Sequence, residues 1–488
     1  MRLGWACLAL LSAVLFVPSP AAAGVEGMHF APCTEGKAKL PARCGTVTVD
    51  EHRGEKNGRR ISLAAVVIPA SHPTHRAIAF IAGGPGEATI PLAALIADGE
   101  FAPELLALRD RYDLLFVDDR GTGASNPSRC EFAPPAQPAK WFAQQWPDDV
   151  LTACRAKLAA RGDLNAYRTD AAVDDLNDVR AALGYPKLVL EGGSYGTMFS
   201  LVYMRRHPST VTSAVLNGVT APHFMVLPGS PDGAQAALDD LFVKCSRDRV
   251  CRANFPAFRA HFVAVARRFA HGSVRVPYTD PQTKHVTFVA LSRAVFTDQL
   301  RSTLYDPEGA SFVPYVIEHA YHGDYAPLAL LVRIDVQGTA DAIDLAANLS
   351  YACADWMPFL DARAVQAAAA TSFAGDLRIR AERHACALWR VRPSVARFNA
   401  IVRSAIPTLM ISGSDDPATP PKYGERELPY LPNAREVLVR GAGHAASLPC
   451  TSALIERFIR ADSAAGLDVN SCSAAFTAPA FKTALPKF

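Results

Sequence analysis

A short apolar run followed by a serine between glycines is the feature that most constrains this chain. Residues 187–190, Lys-Leu-Val-Leu, predict a strand, and Glu-Gly-Gly-Ser-Tyr-Gly-Thr follows directly at 191–197. Glycines two residues before and two after Ser194 allow the chain to reverse sharply into a helix, with the serine hydroxyl exposed at the tip. Residues 198–206 contain no Gly or Pro and favour that helix. The pattern indicates a nucleophilic serine, and a structural Gly-Ser turn is the alternative.

A nucleophilic serine needs a general base and an acid that orients the base. In one known arrangement the acid and then the base follow the serine along the chain. Of the 13 histidines, only His444 lies beyond residue 384, in the small-residue loop Gly-Ala-Gly-His that follows the strand-like residues 436–439. We therefore predict His444 as the base, and a histidine of an ordinary surface loop is the alternative.

Two adjacent aspartates are candidates for the acid. Residues 407–412 predict a buried parallel strand, and Gly-Ser-Asp-Asp-Pro follows at 413–417. The carboxylate of Asp415 or of Asp416 can accept the N–H of His444. An ordinary Asp-Pro turn is the alternative interpretation of this pair.

A glycine-rich loop supports the same chemistry. The apolar residues 77–81 predict a strand that runs into Ala-Gly-Gly-Pro-Gly at 82–86. Attack of a serine on a carbonyl creates an oxyanion, which two backbone N–H groups must stabilise. The predicted donors are Tyr195, directly after the serine, and Gly84 in this loop. A plain turn has a similar sequence.

Five loops together resemble those of α/β-hydrolases of the prolyl and tripeptidyl aminopeptidase group. They are Gly-Gly-Pro-Gly, Asp-x-Arg-Gly-x-Gly-x-Ser, Gly-Gly-Ser-Tyr-Gly-Thr, Asp-Pro-x-Thr-Pro and Gly-x-Gly-His, between about residues 77 and 446. The family pattern places the acid just before the Pro-x-Thr-Pro turn, so Asp416 is preferred over Asp415. The segment Tyr-Ala-Cys-Ala-Asp-Trp at 351–356 and the acid turn resemble secreted tripeptidyl aminopeptidases with a TAP-like C-terminal region. Arg120, in the second of the five loops, is expected to brace neighbouring loops rather than contact substrate.

The resemblance implies an α/β-hydrolase fold, with a mostly parallel sheet flanked by helices and an inserted, mainly helical cap. A chain of 488 residues is longer than one core usually supports, which agrees with an insertion. Within the cap, residues 232–245, 257–270 and 361–370 favour helices, and residues 275–289 favour a small hairpin. The expected organisation is a signal peptide at 1–23, a first core part at 24–220, the cap at 221–400 and a second core part at 401–488.

The resemblance also implies a serine exopeptidase that releases short peptides or single residues from peptides with a free N-terminus. A buried ammonium group needs a paired charge, so a carboxylate is expected to bind it. The candidates are Glu87, Glu308, Glu318 and Asp355. A carboxylic ester hydrolase with the same triad is the main alternative, and a non-catalytic binding protein of this fold is a minor one.

The sequence departs from the family pattern in the glycine-rich loop. Ala82 stands where many relatives have His or Pro, which leaves the geometry of the oxyanion loop open. Glu87 stands where a further glycine is common, and it is expected to add a carboxylate near the mouth of the site.

The N-terminus predicts export. Arg2, an apolar stretch over about residues 6–17 and Ala-Ala-Ala at 21–23 are typical of a signal peptide, with cleavage before Gly24. No later apolar stretch is long enough for a membrane span, so no stable membrane insertion is expected after cleavage. The predicted location is therefore secreted or periplasmic.

The cysteine count agrees with an oxidising compartment. Of 11 cysteines, Cys7 would leave with the signal peptide, and an even number remains. Sequence proximity suggests five disulfides, although connectivity does not follow from sequence alone: Cys33 with Cys44, Cys130 with Cys154, Cys245 with Cys251, Cys353 with Cys386, and Cys450 with Cys472.

Charge and motif content limit the partners. Lys plus Arg number 50 and Asp plus Glu number 47, a balance that does not favour nucleic-acid binding. The sequence has no C-x-x-C and no His pair at helical spacing with a Glu, so neither a metal nor another cofactor is expected.

Overall fold

A nine-stranded sheet forms the centre of the molecule. The computed structural model describes residues 27–55, 58–223, 231–280, 282–395, 397–445, 448–472 and 476–484, so the predicted signal peptide lies outside the described residues. The strands are β1 (Met28–Glu35), β2 (Leu40–Asp50), β3 (Arg60–Ile68), β4 (Ala77–Ile81), β5 (Asp113–Val117), β6 (Leu188–Gly193), β7 (Val211–Asn217), β8 (Val274–Thr279), β9 (Val286–Leu291), β10 (Thr408–Gly413) and β11 (Ala434–Val439).

The sheet order is β1-β2-β3-β5-β4-β6-β7-β10-β11. The strands from β5 to β11 in this order run parallel, and β1, β2 and β3 add an antiparallel edge. This pairing confirms the predicted, mostly parallel sheet. Strands β8 and β9 form the predicted separate hairpin.

Helices cover both faces of the sheet and build the cap. The α-helices are α1 (Ile90–Ala97), α2 (Pro138–Ala143), α3 (Asp148–Ala159), α4 (Thr169–Ala182), α5 (Tyr195–Arg206), α6 (Pro231–Arg247), α7 (Arg249–Asn254), α8 (Phe258–Ala270), α9 (Arg293–Thr303), α10 (Pro307–Ala310), α11 (Val313–Tyr321), α12 (Ala326–Ala342), α13 (Leu345–Asp355), α14 (Ala362–Ala370), α15 (Leu377–Trp389), α16 (Lys422–Glu427) and α17 (Pro449–Ala461). Short 3-10 helices cover Pro103–Asp110, Leu164–Ala166, Pro208–Thr210, Met357–Phe359 and Leu428–Tyr430.

The parallel strands are apolar on both faces because each face packs against helices. In β4, Ile78 and Phe80 belong to the cluster that α1 and α17 complete, while Ala77 and Ala79 belong to the opposite cluster with α4 and α5. The strand ends are thereby fixed on both sides. The loops that follow them can hold side chains in defined positions.

The cap has its own hydrophobic cluster, built from helices between β7 and β10. It includes Leu238 of α6, Phe262 of α8 and Phe296 of α9. The three predicted cap helices are confirmed as parts of α6, α8 and α14. Trp141 and Phe142, which the expected boundaries assign to the first core part, also pack into this cap cluster.

Four of the five suggested disulfides are present: Cys33–Cys44, Cys130–Cys154, Cys245–Cys251 and Cys353–Cys386. The fifth pair is corrected, since Cys450 and Cys472 are free thiols that interact with each other. No helix in the described ranges is long and apolar enough to cross a membrane.

Candidate active site

Ser194 lies on a sharp turn between β6 and α5. Its backbone has φ 53° and ψ −118°, a conformation that a side-chain-bearing residue adopts only under strain. A methyl group on Gly192 would lie 2.4 Å from the carbonyl oxygen of Gly196, and one on Gly196 would lie 2.3 Å from that of Ile81. The two glycines of the motif are therefore required by close backbone approach.

The structure brings Ser194, His444 and Asp416 together. His444 Nε2 lies 2.8 Å from Ser194 Oγ, and His444 Nδ1 lies 2.8 and 2.9 Å from the two oxygens of Asp416. Ser194 follows the parallel strand β6, Asp416 follows β10 and His444 follows β11. Because the carboxyl ends of parallel strands meet at one edge of the sheet, residues distant in sequence form one site there.

Asp416 is held as an ionised acceptor. It is only 2% exposed and accepts hydrogen bonds from the backbone N–H of Ala418 and Thr419 and from the Thr419 hydroxyl. Burial alone would raise the pKa of Asp416, but His444 and these donors outweigh it and lower the pKa. Asp415 instead forms a salt bridge with Lys244 of α6. The structure thus separates the two candidate aspartates.

The predicted oxyanion donors lie at the same edge. Tyr195 is the first residue of α5, and Gly84 is in the loop after β4 and lines the cavity that Ser194 also lines. The neighbouring N–H of Gly83 donates to Glu87 Oε2 at 3.0 Å. Gly83 is therefore engaged within its own loop, and Gly84 stays the predicted donor of this loop.

Arg120 braces loops in the core, as predicted. It is fully buried and its guanidinium donates two hydrogen bonds of 2.7 Å to Asp175. It also donates to the carbonyl oxygens of Glu51 and Ala166.

A cavity of about 420 Å³ lies above Ser194, between the core and the cap. The core contributes Glu87 and Glu191 to its wall, and the cap contributes Asp298 and Asp335. Burial raises the pKa of Glu191 to about 7. The volume is in the range of small-ligand sites.

One of the cap carboxylates is neutralised by arginines. Asp298 accepts hydrogen bonds of 2.9 to 3.0 Å from Arg301 and of 2.9 Å from Arg378. Burial would raise the pKa of Asp298, but the two arginines lower it. This cluster therefore carries its own counter-charges.

Asp335 of α12 differs from Asp298. Its Oδ1 accepts a hydrogen bond of 3.1 Å from Ser302, and its buried Oδ2 has no partner within the described ranges. Burial, with a contribution from the nearby Asp298, raises the pKa of Asp335 to about 6. Gln299, one turn before Ser302 on α9, also has a buried side-chain oxygen without a partner among the described residues. The cavity thus contains acceptors suited to a cationic donor.

Tyr305, just after α9, connects the cap to the triad. Its ring centroid lies 4.7 Å from that of His444, and its carbonyl oxygen accepts the backbone N–H of His444 at 2.7 Å. Its hydroxyl accepts a hydrogen bond from Arg301. His444, the predicted base, therefore packs against a cap residue and is hydrogen-bonded to it.

Of the four carboxylates predicted to bind an ammonium group, Glu87 lines the cavity. Glu308 is at the surface with Lys482 at 2.7 Å, and Glu318 pairs with His261 at 2.7 Å. Asp355 is buried, but it accepts hydrogen bonds from Thr169 and Ser394. These three are corrected: their oxygens already have partners, and none of them lines the cavity around Ser194.

The cap residues Asp298, Arg301 and Asp335 were not predicted from the sequence. They lie on helices, where charged residues usually face solvent, and no local motif surrounds them. Glu191 was visible beside Ser194, but its position at the strand end gave no indication that its side chain faces the cavity.

Comparisons with known proteins agree with this fold. Residues 77–243 match the family described as alpha/beta hydrolase fold, and residues 371–471 match the family described as TAP-like protein.

Similar proteins include both a protease and an esterase. Serine protease Hip1 of Mycobacterium tuberculosis is 25% identical over 478 residues, covering 87% of this chain and 88% of Hip1. Carboxylesterase B of Mycobacterium tuberculosis is 26% identical over 422 residues, covering 78% and 77%. The proline iminopeptidase of Arabidopsis thaliana is 27% identical over 151 residues, covering 31% and 27%. The chain is therefore a serine hydrolase with an α/β-hydrolase fold and a TAP-like C-terminal region.

Proposed function

We propose that this protein is an exported serine exopeptidase that releases short peptides or single residues from free peptide N-termini. The observation that carries the proposal is Asp335, a carboxylate with a buried, unpartnered oxygen among the described residues, in the cavity that Ser194 lines. A buried carboxylate of this kind favours a ligand with a positive charge. The α-ammonium group of a peptide is such a ligand.

The triad supplies the chemistry. His444 takes the proton of Ser194 as the serine oxygen attacks the peptide carbonyl, and Asp416 stabilises the resulting imidazolium. The N–H groups of Tyr195 and Gly84 hold the oxyanion. His444 then returns the proton to the leaving amine as the C–N bond breaks. Water, activated by the same histidine, hydrolyses the acyl-enzyme and restores Ser194.

The subsite around Asp335, and not the triad, distinguishes peptide substrates from esters, because the triad can hydrolyse both. An ester substrate needs no positive charge, so an ester hydrolase would gain nothing from the uncompensated carboxylate of Asp335. With all three triad positions filled and in hydrogen-bond contact, the site is also equipped for catalysis rather than for binding alone.

The test compares free and N-acetylated Ala-Ala-Pro amides, with short acyl esters as the competing class. Acetylation removes the charge, so we expect kcat/KM to fall roughly 10- to 100-fold. In Asp335→Asn the same acetylation should have little effect, whereas Asp341→Asn, an exposed change on the same helix, should behave as the wild type. Ser194→Ala gives the background. Equal turnover of free and acetylated peptides would rule out recognition of the free N-terminus and hence the exopeptidase assignment, and turnover of esters alone would move the assignment to an ester hydrolase.

Export is part of the proposal. It is supported by the signal-like residues 1–23 and by the four disulfides, which form in oxidising compartments. N-terminal sequencing of protein from the periplasm or medium should begin at Gly24. Recovery of full-length protein only from the cytoplasm would contradict it.

A further inference from the structure

The carboxyl group of Glu87 lies close to the nucleophile Ser194. Its Oε2 accepts the N–H of Gly83 at 3.0 Å. A methyl group placed on Gly83 would lie 3.0 Å from this oxygen and 3.4 Å from Ser194 Cβ. The carboxyl group and the nucleophile therefore flank the same glycine of the oxyanion loop.

The charge of Glu87 is not needed to hold the loop. The side-chain oxygen of a glutamine would accept the same hydrogen bond from Gly83. Among the described residues, no Lys or Arg forms a salt bridge with Glu87, although His444 is close enough to affect its pKa. Burial raises that pKa, and the Gly83 N–H and His444 oppose the rise. The carboxylate is thus kept in the cavity at an electrostatic cost.

An anion at this position also opposes catalysis. The tetrahedral intermediate develops negative charge next to Ser194, and a second negative charge nearby disfavours it unless a cation is present. A substrate with an ammonium group beside Glu87 neutralises the carboxylate and so removes its repulsion of the oxyanion. A neutral acyl group leaves that repulsion in place.

Covalent geometry determines which ammonium group can reach Glu87. The α-nitrogen of the residue whose carbonyl is attacked lies about 2.5 Å from the carbonyl carbon, and each further residue moves the N-terminus up to about 3.3 to 3.6 Å away. Asp335 lies on the cap side: His444 is among the groups that shift the pKa of Glu87 but not among those that shift the pKa of Asp335, whose hydrogen bond is to Ser302 on α9.

We propose that Glu87 binds the ammonium group of substrates that lose a single N-terminal residue, whereas Asp335 binds that of substrates that lose a longer segment. The inference rests on the proposed function and deepens it, because it assigns each length of released product to a different carboxylate. It also gives the glutamate in place of the family's glycine a direct role in selecting substrate.

The experiment measures kcat/KM for Ala and Pro amides and for Ala-Ala-Pro amide, free and acetylated. Glu87→Gln keeps the acceptor for Gly83 and removes the charge. We expect it to lower kcat/KM for the free single-residue amides roughly 30-fold and not to lower kcat/KM for the free tripeptide amide, because removal of an anion beside the oxyanion favours a substrate whose ammonium group lies elsewhere. Asp335→Asn should show the reverse. Glu308→Gln, the same chemical change at the surface, is the control.

Three outcomes would overturn the assignment. Equal losses on both substrate lengths in Glu87→Gln would make Glu87 a brace of the oxyanion loop only. Unchanged activity on single-residue amides would remove it from the site. A wild-type enzyme that cleaves the tripeptide amide but no single-residue amide would also overturn it, while leaving the proposed function intact.

A measurement on the wild type keeps the inference testable if Glu87→Gln does not fold. Alaninamide should compete with single-residue substrates, and N-acetylalaninamide should compete at least tenfold more weakly. Equal competition by both compounds would contradict the assignment. By contrast, indifference to acetylation on substrates of every length would remove the proposed function itself.

Discussion

The core side and the cap side of the cavity differ in how recognisable their residues are in the sequence. On the core side, Ser194, Asp416 and His444 each follow a parallel strand and stand in a recognisable loop. On the cap side, Asp298, Arg301 and Asp335 stand on helices in segments without a motif. The chemistry of the reaction is therefore encoded locally, whereas the contribution of the cap to its selectivity depends on how helices pack.

The largest effect is expected on the core side, where two adjacent aspartates provide a matched pair. Asp416→Asn leaves His444 without an acidic partner and should lower kcat about 10³- to 10⁴-fold. Asp415→Asn removes only a salt bridge with Lys244 and should leave kcat within about twofold. Steady-state kinetics on any good substrate measures both. Similar losses in the two variants would mean that the acid is not fixed by the geometry observed here.

Arg120 tests whether the core loops need their buried brace. Arg120→Met leaves Asp175 buried with one arginine fewer, so the free energy of unfolding should fall by about 3 to 5 kcal/mol. Arg129→Met, where the arginine of the pair with Asp344 is 71% exposed, should cost at most about 1 kcal/mol. Urea denaturation gives both values. In folded Arg120→Met, the ratio of activity on free to acetylated peptides should not change, and a changed ratio would link this brace to selectivity.

The same contrast explains how much could be predicted from sequence. The sheet and the turn at Ser194 were accessible because continuous apolar runs and glycines specify short-range geometry. The role of Arg120 was accessible because it stands in one of the five loops that resemble the family. The sequence could not show which of the cap carboxylates faces the cavity. Whether a helix residue such as Asp355 or Asp335 faces a cavity depends on contacts with distant segments, and only three-dimensional packing supplies those contacts.

Cysteine pairing shows the same limit on a smaller scale. Neighbours in sequence formed the four disulfides, since short loops bring them together. The remaining pair, Cys450 and Cys472, is close in space but consists of two thiols. Proximity along the chain predicted that the two side chains meet, but not that their sulfurs are thiols.

Asp335 should show a cost in stability that a core acid such as Asp416 does not. Its folded-state pKa is raised from 3.8 to about 6, chiefly by burial. The folded protein therefore retains a proton that the unfolded chain loses, so this contribution is complete below about pH 4 and is lost as the pH rises through 6. At about 1.4 kcal/mol per pH unit, the difference corresponds to about 3 kcal/mol.

Asp335→Asn should accordingly raise the free energy of unfolding at pH 8 and leave it nearly unchanged at pH 4. Asn keeps the acceptor for the Ser302 hydroxyl, so no hydrogen bond is lost. Denaturant titrations at the two pH values measure the effect, with Asp341→Asn as the control. A destabilised variant at pH 8 would show that Asp335 is already neutralised within the protein, contrary to its assignment as a ligand for substrate.

The smallest effect is expected where the two sides of the cavity meet, at Tyr305. Tyr305→Phe removes the hydroxyl that Arg301 contacts but keeps the ring beside His444 and the carbonyl that accepts its N–H. Loss of one such hydrogen bond should lower kcat about 2- to 12-fold. The factor should be the same for free and acetylated peptides, because the hydroxyl acts through the base. Tyr315→Phe, elsewhere in the cap, is the control. A loss confined to free peptides would instead place Tyr305 with the groups that recognise the N-terminus, and the cap would then contribute to selectivity alone.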